Sequence, residues 1–275
     1  MTVGIAAICN PPEGEENPHV IATADRMVTH GAQGGIEYED TESKIEVYLI
    51  SDKLTGIAIG SGMTGFIQGV LDEVYAALPN VSSDLDTERD VAEVLLAGYQ
   101  KKVQKIIENQ ILSPMGFELS DLRDPNMEVP PNIQSAFEQR ASEFRGEVDG
   151  SVSFIAATAG PDGVGVYTIT GSEIFNHSSQ GYTVVGSGSD SATLTFIRRN
   201  YSRNCPHNEA LFTVMEAKAQ SEERQGVGQK MDIVEVRAGN VNQYDDDEIK
   251  TLREKLEEIE DAERQARQDI ITGWN

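Results

Sequence analysis

The sequence predicts an α+β fold in which antiparallel sheets carry helices on their outer faces. Short apolar strands come in hairpins, and amphipathic helices come in pairs. The elements follow the order strands, two helices, strands, two helices, strand, whereas a parallel sheet would alternate single strands with helices. The 275 residues suit one large domain or two small ones.

The first part of the chain reads as hairpin strands. Buried strands are predicted at 3–8, 20–24, 44–50 and 54–60. A turn-rich loop with adjacent prolines separates the first two. In the third, Ile45, Val47 and Leu49 alternate onto one face, and the SDK turn then begins the fourth, which predicts a hairpin.

Two helices follow, one from about Thr64, a candidate N-cap, and a longer one over 87–112. Residues 113–149 are rich in proline and polar residues and read as a surface insertion that ends in a short helix.

The remaining elements repeat the pattern. Strands are predicted at 151–160, 164–170 and 231–239, and helices at 194–201 and 209–220, with the stretch YTVVGSGSDSA at 182–192 between the second strand and the first of these helices. The tail is a charged helix with Ile249, Leu252, Leu256 and Ile259 on one side, which favours a docked helix over a coiled coil. We therefore expect a domain over 1–240, with the insertion at about 113–149, and an acidic helical extension over 241–275.

The net charge of −24 argues against non-specific nucleic-acid binding, since phosphates are neutralised by Lys and Arg. It fits either plain acidity or the solvating surface of a halophile. No apolar run is long enough for a membrane span, and the N-terminus lacks the basic region of a secretory signal. Cys9 and Cys205 make neither a disulfide framework nor a metal site. A cytoplasmic location is expected.

The stretch GSGMTG, residues 60–65, matches the G-x-G-x-x-G template. A dinucleotide site would need a parallel βαβ unit and an acid after the second strand, and here the motif follows an antiparallel hairpin. The glycines could instead permit a tight strand-to-helix bend. A third use is an exposed backbone N–H that serves as an oxyanion donor beside a nucleophile.

A nucleophile is available at Thr2, since removal of Met1 would leave a hydroxyl and a free α-amine on one residue. An α-amine, with a pKa of about 7.7–8.0, can accept the hydroxyl proton near neutral pH. By itself a Met-Thr start is a weak signal.

Five stretches, in this order along the chain, strengthen the case for Thr2 as a nucleophile: TVGIAAI, VIATADRMVT, ESKIEVY, TGIAIGSGMTG and VVGSGSDSA. Together they resemble the proteasome β-subunit family and its bacterial relative HslV, which are N-terminal nucleophile hydrolases. The resemblance covers most of residues 2–239 apart from the insertion. It implies a four-layer αββα sandwich, threonine peptidase activity and no cofactor or metal.

The resemblance also implies residue roles. Thr2 matches the nucleophile, Asp25 the acid that pairs with the catalytic lysine, and Lys44 that lysine. Taken singly, each of these residues fits an ordinary structural role. Their order along the chain favours the catalytic interpretation.

Four further positions match the family's site. Gly60 matches the glycine whose N–H forms the oxyanion hole, and Ser187 the serine near the threonine amine. Thr29 and Gly62 match positions whose backbones pair with an extended substrate.

The sequence departs from the family near Arg224, where an acid usually supports the active site, and in a longer loop between Thr2 and Asp25. Two alternatives therefore stay open. One is a non-catalytic ring or scaffold subunit, and the other is an amidohydrolase or transpeptidase with a narrower substrate. The family implies peptide or unfolded-protein substrates, a homo-oligomeric ring, and a regulatory ATPase as a candidate partner; no nucleic-acid or membrane partner is expected.

The four histidines, His19, His30, His177 and His207, are scattered and lack metal-ligand spacing. Cys205 and His207 are too close in sequence to make a good catalytic dyad. We therefore expect neither a metal site nor a cysteine protease.

Overall fold

A computed structural model of the chain describes residues 2–12, 15, 17–30, 36–39, 43–81, 85, 87–123 and 129–274, with only the backbone at 28–30 and 36–39. Its strands form two five-stranded antiparallel sheets and a two-stranded ribbon. The first sheet has the order β10-β1-β2-β11-β12. Its strands are β1 (Val3–Cys9), β2 (His19–Asp25), β10 (Tyr182–Gly186), β11 (Met231–Arg237) and β12 (Asn240–Gln243).

The second sheet has the order β5-β6-β7-β8-β9. Its strands are β5 (Ile45–Leu49), β6 (Thr55–Ser61), β7 (Ser153–Gly160), β8 (Gly163–Thr170) and β9 (Glu173–Asn176). The ribbon pairs β3 (Met27–His30) with β4 (Ile36–Glu39).

The helices cover the outer faces of the sheets. They are α1 (Thr64–Val81), α2 (Glu88–Ile106), α3 (Pro131–Ser151), α4 (Ser189–Arg198), α5 (His207–Ser221) and α6 (Asp246–Thr272). α1 and α2 pack on the second sheet, and α4, α5 and the start of α6 pack on the first. A third apolar cluster fills the space between the sheets. The predicted α+β sandwich of two antiparallel sheets flanked by helices is therefore confirmed.

Several local predictions change. The side chain of Leu49 is 67% exposed, and its neighbour Tyr48 packs on the α1–α2 side instead. Thr64 is the first helical residue of α1 rather than its cap, because the N–H groups of Phe66 and Ile67 bond to the Met63 carbonyl. On α6, Ile249 and Leu256 are buried but Ile259 is 42% exposed, so the buried apolar side of the helix does not extend to Ile259.

The insertion is more helical than expected. α3 runs 21 residues to Ser151 and leads almost directly into β7. β12 adds a strand to the first sheet beyond residue 240, so α6 is the part of the extension that lies outside the sheets. The division of the chain at residue 240 stays a prediction.

Strand direction determines what meets at each end of the first sheet. β1 and β2 are antiparallel with Gly4 opposite Ala24, and β11 starts with Met231 opposite Asp25. The start of β1, the end of β2 and the start of β11 therefore lie together. Cys9, His19 and the second half of β11 lie at the opposite end.

Candidate active site

Thr2, Asp25 and Lys44 meet where the two sheets pack together. Thr2 precedes β1 and Asp25 ends β2, whereas Lys44 immediately precedes β5 of the second sheet. The Lys44 Nζ donates to Thr2 Oγ1 at 2.8 Å and to Asp25 Oδ2 at 3.1 Å, and it also bonds the Met27 carbonyl. The Thr2 hydroxyl donates to Asp25 Oδ1. Three residues that are far apart in sequence thus form one hydrogen-bonded group.

Asp25 is fully buried and is surrounded by donors. Beyond Thr2 and Lys44, its carboxylate accepts the backbone N–H groups of Val3 at 2.8 Å, Met27 at 2.9 Å and Gly228 at 3.3 Å. A buried carboxylate is tolerated only when its charge is paired and its oxygens accept hydrogen bonds. Asp25 meets both conditions and holds the Lys44 ammonium at the Thr2 hydroxyl.

This arrangement suits a hydroxyl nucleophile. Thr2 is 3% exposed, and its oxygen accepts a hydrogen bond from a cation while its proton points to a carboxylate. A cation at this distance stabilises negative charge on the oxygen more strongly in a buried site than it would in water. The geometry can therefore support an alkoxide that forms when the proton leaves.

Ser187 follows β10 and lies against the main chain of Thr2. Its hydroxyl donates to the Thr2 carbonyl at 3.3 Å, and the Gly188 N–H approaches the same oxygen at 3.5 Å. These contacts hold the residue that carries the hydroxyl. The predicted role of Ser187 beside the α-amine stays a prediction.

Gly60 and Gly62 lie at the end of β6, next to the start of α1. A Cβ at Gly60 would collide with the Ile67 side chain, and one at Gly62, whose φ is +121°, would collide with the Ser151 carbonyl. Both positions therefore require glycine for packing or backbone reasons alone, and their predicted oxyanion and substrate roles stay predictions. Thr29 lies in β3, and its side chain is outside the described residues.

A support for Asp25 that the sequence did not reveal comes from Lys218. This lysine is fully buried, bonds the Gly228 carbonyl at 2.7 Å and pairs with Glu222 at 2.6 Å. Burial lowers the pKa of Lys218, while Glu222 opposes that shift. Since Gly228 also donates its N–H to Asp25, Lys218 fixes the loop that completes the carboxylate's shell.

α6 reaches the same loop. Arg253 donates to Glu222 Oε1 at 2.6 Å and also bonds the Gln229 carbonyl. Arg224, near which the sequence departs from the family it resembles, donates to Ser191 at 3.2 Å. The available sequence signals were a lysine in helical spacing with the apolar residues Leu211 and Val214, and its Glu partner four residues on.

Two of the histidines that are scattered in sequence lie close together in the structure. His19 and His207 meet Glu235 at the other end of the first sheet, with ligand atoms of all three residues within 4.8 Å of one another. These residues could hold a metal ion. Their spacing in sequence is irregular because separate strands and a helix contribute them.

Among the residues described, no helix is both long enough and apolar enough to cross a membrane. Cys9 and Cys205 are free thiols.

The fold is shared with solved Anbu structures. The chain aligns with the "Anbu (Gly-1) mutant" from Hyphomicrobium sp. strain MC1 at a TM-score of 0.66 and 12% identity, over 98% of this chain and 97% of that one. It aligns with "Anbu (ancestral beta-subunit)" from Yersinia bercovieri at 0.64 and 10% identity, over 98% and 96%. The "Helical Assembly of the Anbu Complex" from Pseudomonas aeruginosa gives 0.59 and 10% identity, over 96% of each chain. No protein-family model and no curated protein matches the chain.

Proposed function

We propose that this protein is a proteasome-like threonine peptidase in which Thr2, exposed by removal of Met1, is the nucleophile. The observation that carries the proposal is the position of the Lys44 Nζ, 2.8 Å from Thr2 Oγ1 and 3.1 Å from a buried Asp25 oxygen. A purely structural ion pair would not need a hydroxyl between its members. The sequence resemblance and the fold shared with Anbu support the same conclusion.

In the proposed reaction, Thr2 Oγ attacks the carbonyl carbon of a peptide bond. Its proton passes to the free α-amine of Thr2, and Lys44 stabilises the negative charge on the oxygen until the C–O bond forms. The α-amine then gives the proton to the departing amine as the C–N bond breaks, which leaves an ester on Thr2. Water hydrolyses this ester and restores the hydroxyl.

The remaining roles complete this mechanism. The Gly60 N–H is proposed to face the oxyanion of the tetrahedral intermediate. Thr29 and Gly62 are proposed to pair with the backbone of an extended substrate, in effect adding a strand. Ser187, which bonds the Thr2 carbonyl, is proposed to hold the nucleophile in position.

The protein is further proposed to be a cytoplasmic homo-oligomer that acts on peptides or unfolded proteins, with a regulatory ATPase as candidate partner. One of the Anbu structures is a helical assembly, which supports oligomerisation of the shared fold. A heterologous interface makes a closed ring or an open helix according to whether its rotation closes. Mass photometry and negative-stain microscopy of the purified protein distinguish the two.

The test is the intact mass of the protein before and after incubation with a peptide epoxyketone, a reagent that needs a hydroxyl and a free α-amine on one residue. We expect loss of Met1 and one adduct that maps to Thr2. Thr2→Ala should give no adduct, while the control Thr251→Ala, which changes an exposed threonine on α6, should react like the wild type.

Retained Met1, or a free Thr2 that never reacts, would refute the peptidase and favour the scaffold subunit. An adduct without cleavage of unfolded-protein substrates would favour the narrower amidohydrolase or transpeptidase. Hydroxylamine and amine acceptors would then be assayed as nucleophiles that compete with water.

A further inference from the structure

His19, His207 and Glu235 form a compact group at the end of the first sheet that is remote from Thr2. His19 Nδ1 lies 2.5 Å from Glu235 Oε1, and His207 Nε2 lies 3.0 Å from the same oxygen. The side chains of His19 and Glu235 are each 2% exposed and that of His207 is 12% exposed. Two imidazoles thus direct a ring nitrogen at one buried carboxylate oxygen.

The fold brings these residues together from three elements. His19 begins β2, and Glu235 lies on β11 opposite Ile21, two residues further along β2. Residues two apart on a strand share a face, so His19 and Glu235 point to the same side of the sheet. That face packs on α5, whose first residue is His207.

His19 has a carboxylate at each of its two ring nitrogens. Its Nδ1 faces Glu235 and its Nε2 faces Glu15 at 2.8 Å, so both ring nitrogens meet carboxylates. A neutral imidazole has one N–H and can donate to only one of them. A metal ion between Nδ1 and the Glu235 carboxylate would satisfy both of these groups while the Nε2–H donates to Glu15.

The outer ring nitrogens also have partners of the kind found around metal ligands. His19 Nε2 contacts the Glu15 carboxylate, and His207 Nδ1 lies 3.3 Å from the Asn208 side-chain oxygen. Histidines that bind metals generally donate their other N–H to such an oxygen, which fixes the tautomer and orients the ring. This second layer of contacts is independent of the meeting of the three inner atoms.

We propose that His19 Nδ1, His207 Nε2 and Glu235 Oε1 bind a divalent transition-metal ion, with Zn²⁺ as the ion that fits two imidazoles and one carboxylate. The ion would replace the protons between the rings and the carboxylate, and one remaining position of a tetrahedral site would be filled by a further ligand. Arg237, 3.1 Å from Glu235 Oε2, holds the outer carboxylate oxygen.

The role of this site is structural. Six residue steps along β2 separate His19 from Asp25, which corresponds to about 20 Å at 3.3 Å per residue. The ion would join the start of β2, β11 and the start of α5. The proposal is therefore independent of the proposed peptidase function.

The test uses the full chain without a polyhistidine tag, purified and then stripped with a chelator. Elemental analysis of the purified protein and calorimetric titration of the stripped protein with Zn²⁺ measure stoichiometry and affinity. We expect one ion per chain with a Kd below about 1 μM. His207→Ala, which alters the most exposed ligand, should weaken binding at least 100-fold, whereas the control His177→Ala should bind like the wild type.

Glu15→Gln is the second variant, because Glu15 is 38% exposed and its substitution should leave folding intact. Loss of an outer partner typically weakens a metal site by about 10–100-fold, and we expect a loss in that range. Stripped wild type that binds no Zn²⁺ would overturn the proposal. So would equal affinities in the wild type, His207→Ala and Glu15→Gln, since binding would then occur elsewhere.

Discussion

The two ends of the first sheet each bury one carboxylate and satisfy it differently. Asp25 receives three backbone N–H groups, a lysine and a hydroxyl, whereas Glu235 receives two imidazoles and an arginine. The partners of Asp25 place a hydroxyl oxygen beside a lysine cation, an arrangement that suits a nucleophile. Paired imidazoles present ring nitrogens that suit a metal. Two buried carboxylates in one sheet thus have two different sets of partners.

The partners of Glu235 and Asp25 determine how each carboxylate responds to substitutions around it. The pKa of Glu235 is lowered although burial opposes the shift, because His19, His207 and Arg237 all donate to its oxygens. Asp25 is surrounded mainly by backbone donors, which no substitution can remove singly. At the Asp25 end, which we propose to be the catalytic end, side-chain changes should therefore act chiefly on activity, and at the histidine end they should act chiefly on stability.

The largest expected effect is at the catalytic end. Lys44→Ala removes the cation beside Thr2 Oγ1, and we expect kcat/KM for peptide cleavage to fall at least about 10³-fold. Lys53→Ala, a change in the exposed turn before β6, is the control and should cleave like the wild type. Steady-state kinetics on a fluorogenic peptide measure both, and full activity in Lys44→Ala would contradict the mechanism.

Metal removal tests the histidine end. If the free concentration of the ion is about 100–1,000 times its Kd, binding stabilises the fold by about 2.7–4.1 kcal/mol. Stripping should therefore lower Tm by about 5–15 °C. Initial peptidase rates at 25 °C should not change, because the site is remote from Thr2. Calorimetric scans and rate measurements on one preparation provide the comparison. Equal loss of activity and of metal on stripping would show that the two ends are coupled.

A smaller effect is expected where α6 approaches the catalytic end. Arg253→Ala removes the contacts with Glu222 and the Gln229 carbonyl that hold the Gly228 loop near Asp25. We expect kcat to fall about tenfold with little change in KM, since the loop positions the carboxylate and does not contact the substrate.

The matched control for this change is Arg264→Ala, on the exposed part of the same helix. Arg264 pairs with Asp261 at 2.8 Å on the surface, and its removal should leave kcat unchanged. If the two variants lose equal activity, α6 acts through its general stability and not through Arg253.

The smallest effect concerns the pairing of α6 with α4. Hydrogen bonds from Arg199 hold the pKa of Glu263 below its usual value of 4.5. A lowered folded-state pKa stabilises the fold above the unfolded-state pKa, and this stabilisation is lost as pH falls through the folded value. Because Glu263 is 52% exposed, we expect Glu263→Gln to lower the free energy of unfolding by at most about 1 kcal/mol at pH 7.

Urea unfolding of the wild type and Glu263→Gln at pH 7 and at pH 3 measures this difference. It should shrink at the lower pH, because the Glu263 carboxylate takes up a proton in the wild type as pH falls through its lowered pKa. A difference of equal size at both pH values would mean that Glu263 acts through packing and not through its charge.

Much of the sandwich could be predicted because its signals are local. The alternation of apolar residues, the hairpin turn before β6 and the helical spacing in α1, α2 and α6 each depend on neighbouring residues. β9, β12 and the β3–β4 ribbon escaped detection because strands of four residues carry little periodicity. Leu49 and Ile259 fit the apolar spacing of their strand and helix, but both side chains are exposed to solvent.

The sequence by itself determined the fold class. It also identified Thr2, Asp25 and Lys44 as candidates through a resemblance, and the fold then brought these three residues together. Only the tertiary structure showed that Lys218 and Gly228 support Asp25, and that His19, His207 and Glu235 lie in contact. The reason is physical: strand and helix periods act over a few residues, whereas these contacts join residues up to 216 positions apart, and antiparallel register and sheet packing bring them together.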